Sequence, residues 1–185
     1  MWQQIGVPGF LFAIAALFAG LFFGSQVRRS DAVHSSAAER LQVVETASSP
    51  SDISATVYVP VYSSLYLGLD IKHPMIELAA TVSVRNVSAV HPVVVEWVRY
   101  YDSSGKRIRD YLTKEAALPP LGSVEFVIQR ADATGGPGAN FLIHWRGPAN
   151  VDAPIIEAVM LGESGSGGIS FTSAGRTLKA EAGNR

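Results

Sequence analysis

The architecture of this chain is indicated by one segment, Ile76-Glu77-Leu78-Ala79-Ala80-Thr81-Val82-Ser83-Val84-Arg85. Its even positions are apolar, and its odd positions carry most of its polar groups. Successive side chains of a β-strand point to opposite faces of a sheet, so this alternation is typical of a strand with one buried face. The segment therefore predicts a strand that contributes one face to a hydrophobic core.

Segments with strand character continue on both sides of this one. We predict strands over residues 53–62, 75–87, 92–101, 107–113, 122–130, 139–146, 154–161 and 168–173. Short strands at this spacing, with no convincing helical pattern between them, indicate an antiparallel sandwich or barrel. An immunoglobulin-like core needs only about 100 residues. We therefore predict a mainly β protein, with an antiparallel immunoglobulin-like β-sandwich over residues 53–175.

The segment 92–101 is apolar on both faces. Strict alternation would place Trp97 on one face with the odd-numbered valines 93 and 95, and Glu96 on the other face with Val98. We expect this strand to be covered on both sides.

An apolar segment without charge precedes the β domain, over residues 5–27. Roughly 20 helical residues cross a hydrocarbon core of about 30 Å. We predict a single transmembrane helix preceding the sandwich, with residues 1–29 as the anchor. The aromatic residues expected to hold it in the membrane are Trp2, Phe10, Phe12, Phe18, Phe22 and Phe23.

A cleaved signal peptide is the alternative for this segment. Such peptides normally begin with a basic region and have a shorter apolar core, and this one has neither feature. Arg28 and Arg29 follow the apolar run directly. Taken alone, the positive-inside rule would place the carboxyl side of the helix in the cytoplasm.

Polar segments flank the β domain. Residues 30–52 are predicted to be a tether, in which Ser35 or Ser36 could cap a short helix. The end of this tether is rich in serine and contains Pro50, as flexible linkers are. Residues 176–185 are predicted to be a polar tail.

Composition excludes several classes of function. The 185 residues include 15 Lys+Arg and 16 Asp+Glu, a net charge of −1, which argues against a nucleic-acid partner. The chain has no cysteine, so it has no disulfide, thiolate metal site or cysteine nucleophile.

Five short motifs occur in a fixed order along the β domain. They are Tyr58–Ser63, Val82–Asn86, Tyr100–Gly105, Gly135–Phe141 and Pro154–Met160. Their order and spacing resemble a bacterial family known as domain of unknown function 3124, over about residues 55–175. The resemblance implies an exported domain and no established activity. We therefore expect a single-pass protein of the bacterial inner membrane with its β domain in the periplasm, because a long domain can translocate against a small local charge bias.

The histidines do not predict a metal site. His34, His73, His91 and His144 form no closely spaced pair, and a site would need the fold to bring them to a carboxylate such as Glu77 or Glu96. On its strand, His144 alternates with apolar residues 141, 143 and 145, so we expect it to face outward.

Other polar features are weighed against simple structural roles. The glycine-rich segment 132–140 could be an anion nest or a calcium loop, but a connection between strands is favoured. Ser164 and Ser166 lack the spacing of a hydrolase elbow. Glu96 and Glu157 could form a carboxylate pair, or each could pair with one of Arg85, Arg99 and Arg146. We assign no catalytic, cofactor-binding or metal-binding residue and expect no cofactor.

Adjacent tyrosines indicate an interaction surface, because one of Tyr100 and Tyr101 should face outward. Exposed tyrosine with arginine is typical of a protein interface, while a tyrosine packed within the fold is the alternative. The predicted interface comprises Arg99, Tyr100, Tyr101, Gly135, Gly136 and Asn140.

Three hypotheses for function follow. The first is a non-enzymatic accessory or structural subunit, in contact with membrane lipid and with other membrane-protein subunits of a larger inner-membrane complex, such as a photosynthetic or respiratory assembly. The second is a periplasmic binding module for a small ligand or ion. The third, least favoured, is a hydrolase.

Overall fold

The computed structural model describes residues 42–43, 49–66, 75–165 and 167–179. The predicted anchor, most of the tether and the end of the tail lie outside the described residues. Within the ranges given, no helix is long and apolar enough to cross a membrane. The strands are β1 (Gln42–Val43), β2 (Asp52–Pro60), β3 (Ser64–Tyr66), β4 (Met75–Arg85), β5 (Val93–Tyr101), β6 (Arg107–Leu112), β7 (Ala116–Leu118), β8 (Ser123–Ile128), β9 (Asn140–Pro148), β10 (Ile155–Ser164), β11 (Gly167–Ala174) and β12 (Arg176–Thr177).

These strands form two antiparallel sheets. The seven-stranded sheet has the order β1-β7-β5-β9-β2-β12, and β6 also pairs with β5. The five-stranded sheet has the order β11-β10-β4-β3, and β8 also pairs with β4. The prediction of a mainly β, antiparallel sandwich is confirmed.

The core lies between the two sheets. The even-numbered side chains of β4, from Ile76 to Val84, are buried, as the alternation in the sequence predicts. Phe141 and Ile143 of β9 are buried on the inner face of the other sheet. Tyr111 of β6 meets Phe126 of β8 edge to face, with ring centroids 6.0 Å apart. Burying one such large apolar side chain contributes about 1.5–3 kcal/mol, so this shared interior holds the two sheets together.

The strand β5 departs from strict alternation at Glu96. Val95 pairs with Trp145, but it is Trp97, two positions on, that pairs with the next residue of β9, His144. Glu96 is therefore the extra residue of a β-bulge, and every side chain after it changes face. The predicted grouping of Trp97 with the inward valines 93 and 95 is wrong: Trp97 is on the outer face, and Val98 is buried inside.

The chain crosses from one sheet to the other at Gly175. It leaves β11 of the five-stranded sheet and continues as β12, which pairs with β2 of the seven-stranded sheet. A Cβ atom at residue 175 would lie 2.6 Å from Val57 Cγ1 and 2.7 Å from the carbonyl oxygen of Ile156, so only glycine fits. The Leu178 N–H donates to the Thr56 carbonyl at 2.8 Å. The start of the predicted tail is thus part of the sandwich.

Candidate functional site

The outer face of the seven-stranded sheet carries an aromatic stack that the Glu96 bulge creates. The indole of Trp97 lies parallel to the imidazole of His144, with ring centroids 5.2 Å apart and an interplanar angle of 8°. The guanidinium carbon of Arg99 lies 4.1 Å from the Trp97 ring centroid, within the range of a cation–π interaction. Arg99 Nε is 3.8 Å from Asp110 Oδ1. Trp97 is therefore in contact with Arg99 and with His144.

Both ring nitrogens of His144 have partners. Nδ1 lies 2.9 Å from the Thr56 hydroxyl, and Nε2 lies 3.3 Å from Glu96 Oε2. The ring is thus fixed by its stack and by two polar contacts, and neither nitrogen is left for a metal ion. The expectation that His144 faces away from the buried side chains of β9 is confirmed.

Arg146 adjoins this stack and is buried beneath three carboxylates. Its guanidinium nitrogens lie 3.3 Å from Asp52 Oδ2, 3.0 Å from Glu96 Oε1 and 2.9 Å from Glu115 Oε2. Burial acts to lower the pKa of Arg146, but the hydrogen bond to Glu115 and the charges of Glu115, Glu96 and Asp52 outweigh burial and raise it. A planar guanidinium suits several carboxylates at once, which explains arginine at this position.

We call the connected set of Arg99, Trp97, His144, Glu96 and Arg146 the polar ladder. Each charged member has a partner of opposite charge in or beside the ladder. Apart from buried Arg146, the members are half-buried, so they also present surface to solvent. The ladder therefore presents an aromatic ring and charged groups on one face of the sheet.

Sequence reasoning did not find most of the ladder, because its members come from two strands, β5 and β9, and the partners Asp52 and Thr56 come from a third, β2. Thr56 and His144 are 88 positions apart, and Asp52 and Arg146 are 94 apart. The sequence feature that could have pointed to the ladder is the presence of polar residues inside apolar strands. The possibility that Glu96 pairs with Arg146 is confirmed, and Glu157 pairs with Arg85, their atoms 3.7 Å apart.

The predicted interface residues are divided between the surface and the core. Tyr100 is fully buried, so it has no surface to offer a partner, whereas its neighbour Tyr101 is half-buried. The expectation that one of this pair faces outward is confirmed. Arg99 belongs to the ladder, and Asn140 pairs with Tyr101 across the sheet.

The hairpin that follows Tyr101 is held by Asp102. The carboxylate of Asp102 accepts hydrogen bonds from the Ser104 hydroxyl and from the backbone N–H groups of Lys106 and Ser104. These bonds, led by the Ser104 hydroxyl, hold the pKa of Asp102 below its usual range. The hairpin is thus held in its conformation by the side chain of Asp102.

The glycine-rich segment is fastened to two neighbouring loops. The Ser103 hydroxyl donates to the Gly135 carbonyl at 3.0 Å and accepts the Gly138 N–H at 2.8 Å. The Ser63 hydroxyl donates to the Gly136 carbonyl at 2.6 Å. An anion nest needs free backbone N–H groups, and the N–H of Gly138 is already bonded. These contacts favour the interpretation as a connection between strands, with Gly135 buried.

The remaining candidates are not brought together. Glu96 and Glu157 lie on opposite sheets, so they do not form a carboxylate pair. His91 Nε2 lies 3.3 Å from the Asn150 side-chain amide, and His34, His73 and Ser166 are outside the described residues. In the part of the chain that the structure covers, no three His, Asp or Glu side chains are placed to share a metal ion.

Comparison with known proteins identifies one family. A family model described as "Protein of unknown function (DUF3124)" matches residues 54–178. This match confirms the resemblance carried by the five motifs. No curated protein matches the chain. A solved chain described as "Crystal Structure of Thermotoga maritima 1070" is similar at a TM-score of 0.38 and 10% identity, covering 66% of this chain and 92% of that one.

Proposed function

The chain belongs to the family described as "Protein of unknown function (DUF3124)", and we propose that it is a non-enzymatic accessory subunit anchored in the bacterial inner membrane. In this proposal residues 1–29 hold the chain in the membrane, and an immunoglobulin-like sandwich in the periplasm docks on a larger complex. A photosynthetic or respiratory assembly is the partner class we propose.

The polar ladder is the observation that supports docking most. Tryptophan and arginine are the side chains that most often dominate the energy of protein interfaces. In the ladder, Trp97 and Arg99 are already held by their neighbours, so little side-chain freedom would be lost when a partner binds. Tyr101 and Asn140, at the end of the same strands, extend this surface toward the hairpin.

A groove beside the ladder favours the second candidate, a periplasmic module for a small ligand. It has a volume of about 620 Å³, and its lining residues are Ser54, Ala55, Thr56, His144, Thr177, Leu178 and Lys179. That volume suits a small molecule. The single lysine would favour a ligand with negative charge.

The decisive experiment compares two arginines that lie in similar surface ion pairs on different sheets. Arg99 pairs with Asp110 beside the ladder, and Arg130 pairs with Glu163 beside the five-stranded sheet. Tagged full-length protein is extracted in mild detergent, and copurifying proteins are compared for Arg99→Glu and Arg130→Glu. We expect Arg99→Glu to abolish copurification of the partner and Arg130→Glu to retain it.

Three results would contradict the proposal. Equal loss in both variants would mean that the ladder is not the docking surface. Absence of any partner from the unaltered protein, together with tight binding of an anionic metabolite, would favour the groove and the second candidate. Turnover of a substrate by the purified chain would replace both candidate functions with an enzymatic one.

A further inference from the structure

One end of the sandwich carries exposed apolar side chains on two uncharged loops. Val90 is 72% exposed and Val87 is 37% exposed in the loop 86–92, and Leu121 is 70% exposed in the turn 119–122. Neither loop contains an aspartate, glutamate, lysine or arginine. We call Val87, Val90 and Leu121 the apolar tip. Apolar residues grouped on uncharged loops indicate a contact with another apolar phase.

Several polar groups beneath this tip are paired inside the domain. The side-chain nitrogen of buried Asn86 lies 3.2 Å from the Leu118 carbonyl and 3.0 Å from that of Pro119, and its oxygen accepts the Ser88 N–H at 3.0 Å. The Leu121 N–H donates to the Ser88 carbonyl at 3.0 Å. Backbone that enters a membrane must be paired in this way, because lipid offers no hydrogen-bond partner.

Leu121 has a backbone conformation that leucine disfavours. The turn closes by a hydrogen bond of 2.9 Å from the Gly122 N–H to the Pro119 carbonyl, and Leu121 has φ 57°. Glycine or asparagine is the usual residue at the positive-φ position of such a turn. Because most of the leucine side chain is exposed, the folded domain supplies little burial to offset the strain. A contact outside the domain would bury this side chain and so offset the strain.

The first described strand, β1, lies at this same end of the domain. Gln42 pairs with Ala117 and Val43 pairs with Ala116, so β1 begins beside the end of β7 that leads to the turn 119–122. Residues 28–41 separate Gln42 from the uncharged segment 5–27. A flexible coil of this length would span about 20 Å root-mean-square, so the proposed anchor would keep this end of the domain close to the bilayer.

We propose that the apolar tip inserts into a phospholipid bilayer, at the boundary between headgroups and acyl chains. This inference rests on the proposed function for the membrane anchor and adds a second lipid contact, which fixes the orientation of the sandwich. Insertion of a few apolar side chains is weak by itself, but it becomes effective when the chain is already tethered to the same membrane. The hairpin 102–106, at the opposite end of β5, then points away from the bilayer.

The test uses the full chain, which has no cysteine of its own and therefore accepts single labels. Bimane is attached to Val90→Cys, to Leu121→Cys and, as the control, to Ser104→Cys in the hairpin. The labelled proteins are reconstituted in phosphatidylcholine vesicles and isolated by flotation. We expect quenching by nitroxide-labelled lipid to be at least ~2-fold stronger at positions 90 and 121 than at 104, with the reverse order for aqueous iodide.

The outcomes separate this inference from the function on which it rests. A chain that does not float with the vesicles overturns both. A chain that floats while positions 90 and 121 are as open to iodide as 104 overturns the inference alone. If the labels are shielded from iodide but are not quenched by lipid, the apolar tip contacts another copy of the chain instead of lipid. That result would overturn the inference.

A second variant separates contact from folding. Leu121→Asn removes the apolar side chain and favours the positive φ, so the fold should be retained. Lipid quenching of the label at Val90→Cys should fall at least ~2-fold in this background. Unchanged quenching would overturn the apolar tip as the lipid contact.

Discussion

The hydroxyl oxygen of Tyr100 lies 1.8 Å from the point where a Cβ atom at residue 135 would stand, so glycine at position 135 is required by a side chain of β5. The Cζ atom of Tyr100 and the Cβ atom of Ala139 would each be 2.7 Å from the same point. This relationship joins the glycine-rich segment to β5 through packing.

Gly135→Ala should therefore lower the free energy of unfolding by about 1–3 kcal/mol, the usual cost of overpacking a rigid site. Gly168→Ala is the matched control, because a Cβ atom there meets nothing within 4 Å. Denaturant unfolding followed by the fluorescence of Trp97 and Trp145 measures both. Equal stability of the two variants would contradict the packing argument.

Tyr100→Phe and Tyr111→Phe should change stability in opposite directions. The buried hydroxyl of Tyr100 has no hydrogen-bond partner among the described residues, so its removal should be neutral or stabilising by up to about 1 kcal/mol. The hydroxyl of Tyr111 donates to the Val127 carbonyl at 3.2 Å, and its removal should cost about 1 kcal/mol. The same unfolding measurement tests both variants. If Tyr100→Phe loses as much stability as Tyr111→Phe, the hydroxyl of Tyr100 is not unpaired as described.

Stability should fall in alkaline solution because of the same two tyrosines. Burial, followed by the charge of Asp132, raises the pKa of Tyr100 above its ordinary value of 10, and burial raises the pKa of Tyr111 against the opposing charge of Arg109. Above pH 10 the unfolded chain releases phenolic protons that the folded chain retains, so unfolding becomes easier as pH rises. The contribution of these groups is complete below pH 10 and is lost above it.

For Tyr100 the slope should rise toward about 1.4 kcal/mol per pH unit above pH 10. Unfolding curves between pH 9 and 11 test this, with Tyr100→Phe expected to have a shallower slope than the unaltered chain. An unchanged slope in that variant would show that Tyr100 does not titrate as described.

Arg146→Met should be the most damaging change in the polar ladder. It leaves Asp52, Glu96 and Glu115 close together without the buried charge that holds them, which should cost about 2–4 kcal/mol at neutral pH. Mild acid should recover part of this loss, because protonation removes the repulsion among the carboxylates. Arg130→Met, which breaks an exposed pair, should change stability by less than about 0.5 kcal/mol.

Most of the sandwich could be predicted from the sequence, because the longer strands carry their own pattern. The strand predicted at 75–87 is observed as Met75–Arg85, and the one predicted at 168–173 as Gly167–Ala174. Strands of two or three residues, such as β7 and β12, could not be predicted, since they are too short for a periodic pattern and exist through their partners.

The polar ladder could not be predicted, because it depends on one irregularity. A β-bulge adds a residue without changing the composition of a strand, so the sequence 93–101 gives no sign that Trp97 and Arg99 face outward. The burial of Gly135 against Tyr100 likewise depends on a 3-10 turn, Ala133–Gly135, and a strand that are far apart in sequence. Where register, and not pattern, sets the position of a side chain, the sequence does not show which face that side chain occupies.

The crossing at Gly175 has a mechanical consequence. Between Gly175 and Lys179, the last described residue, β12 and the Leu178 N–H hold the chain to β2, and β2 begins at the same end of the sheet toward which β12 runs. A pulling force between Asp52 and Lys179 would therefore separate this pair one hydrogen bond at a time, instead of shearing several bonds together. The tail should peel away at low force as far as Gly175, and the sandwich should remain folded behind it.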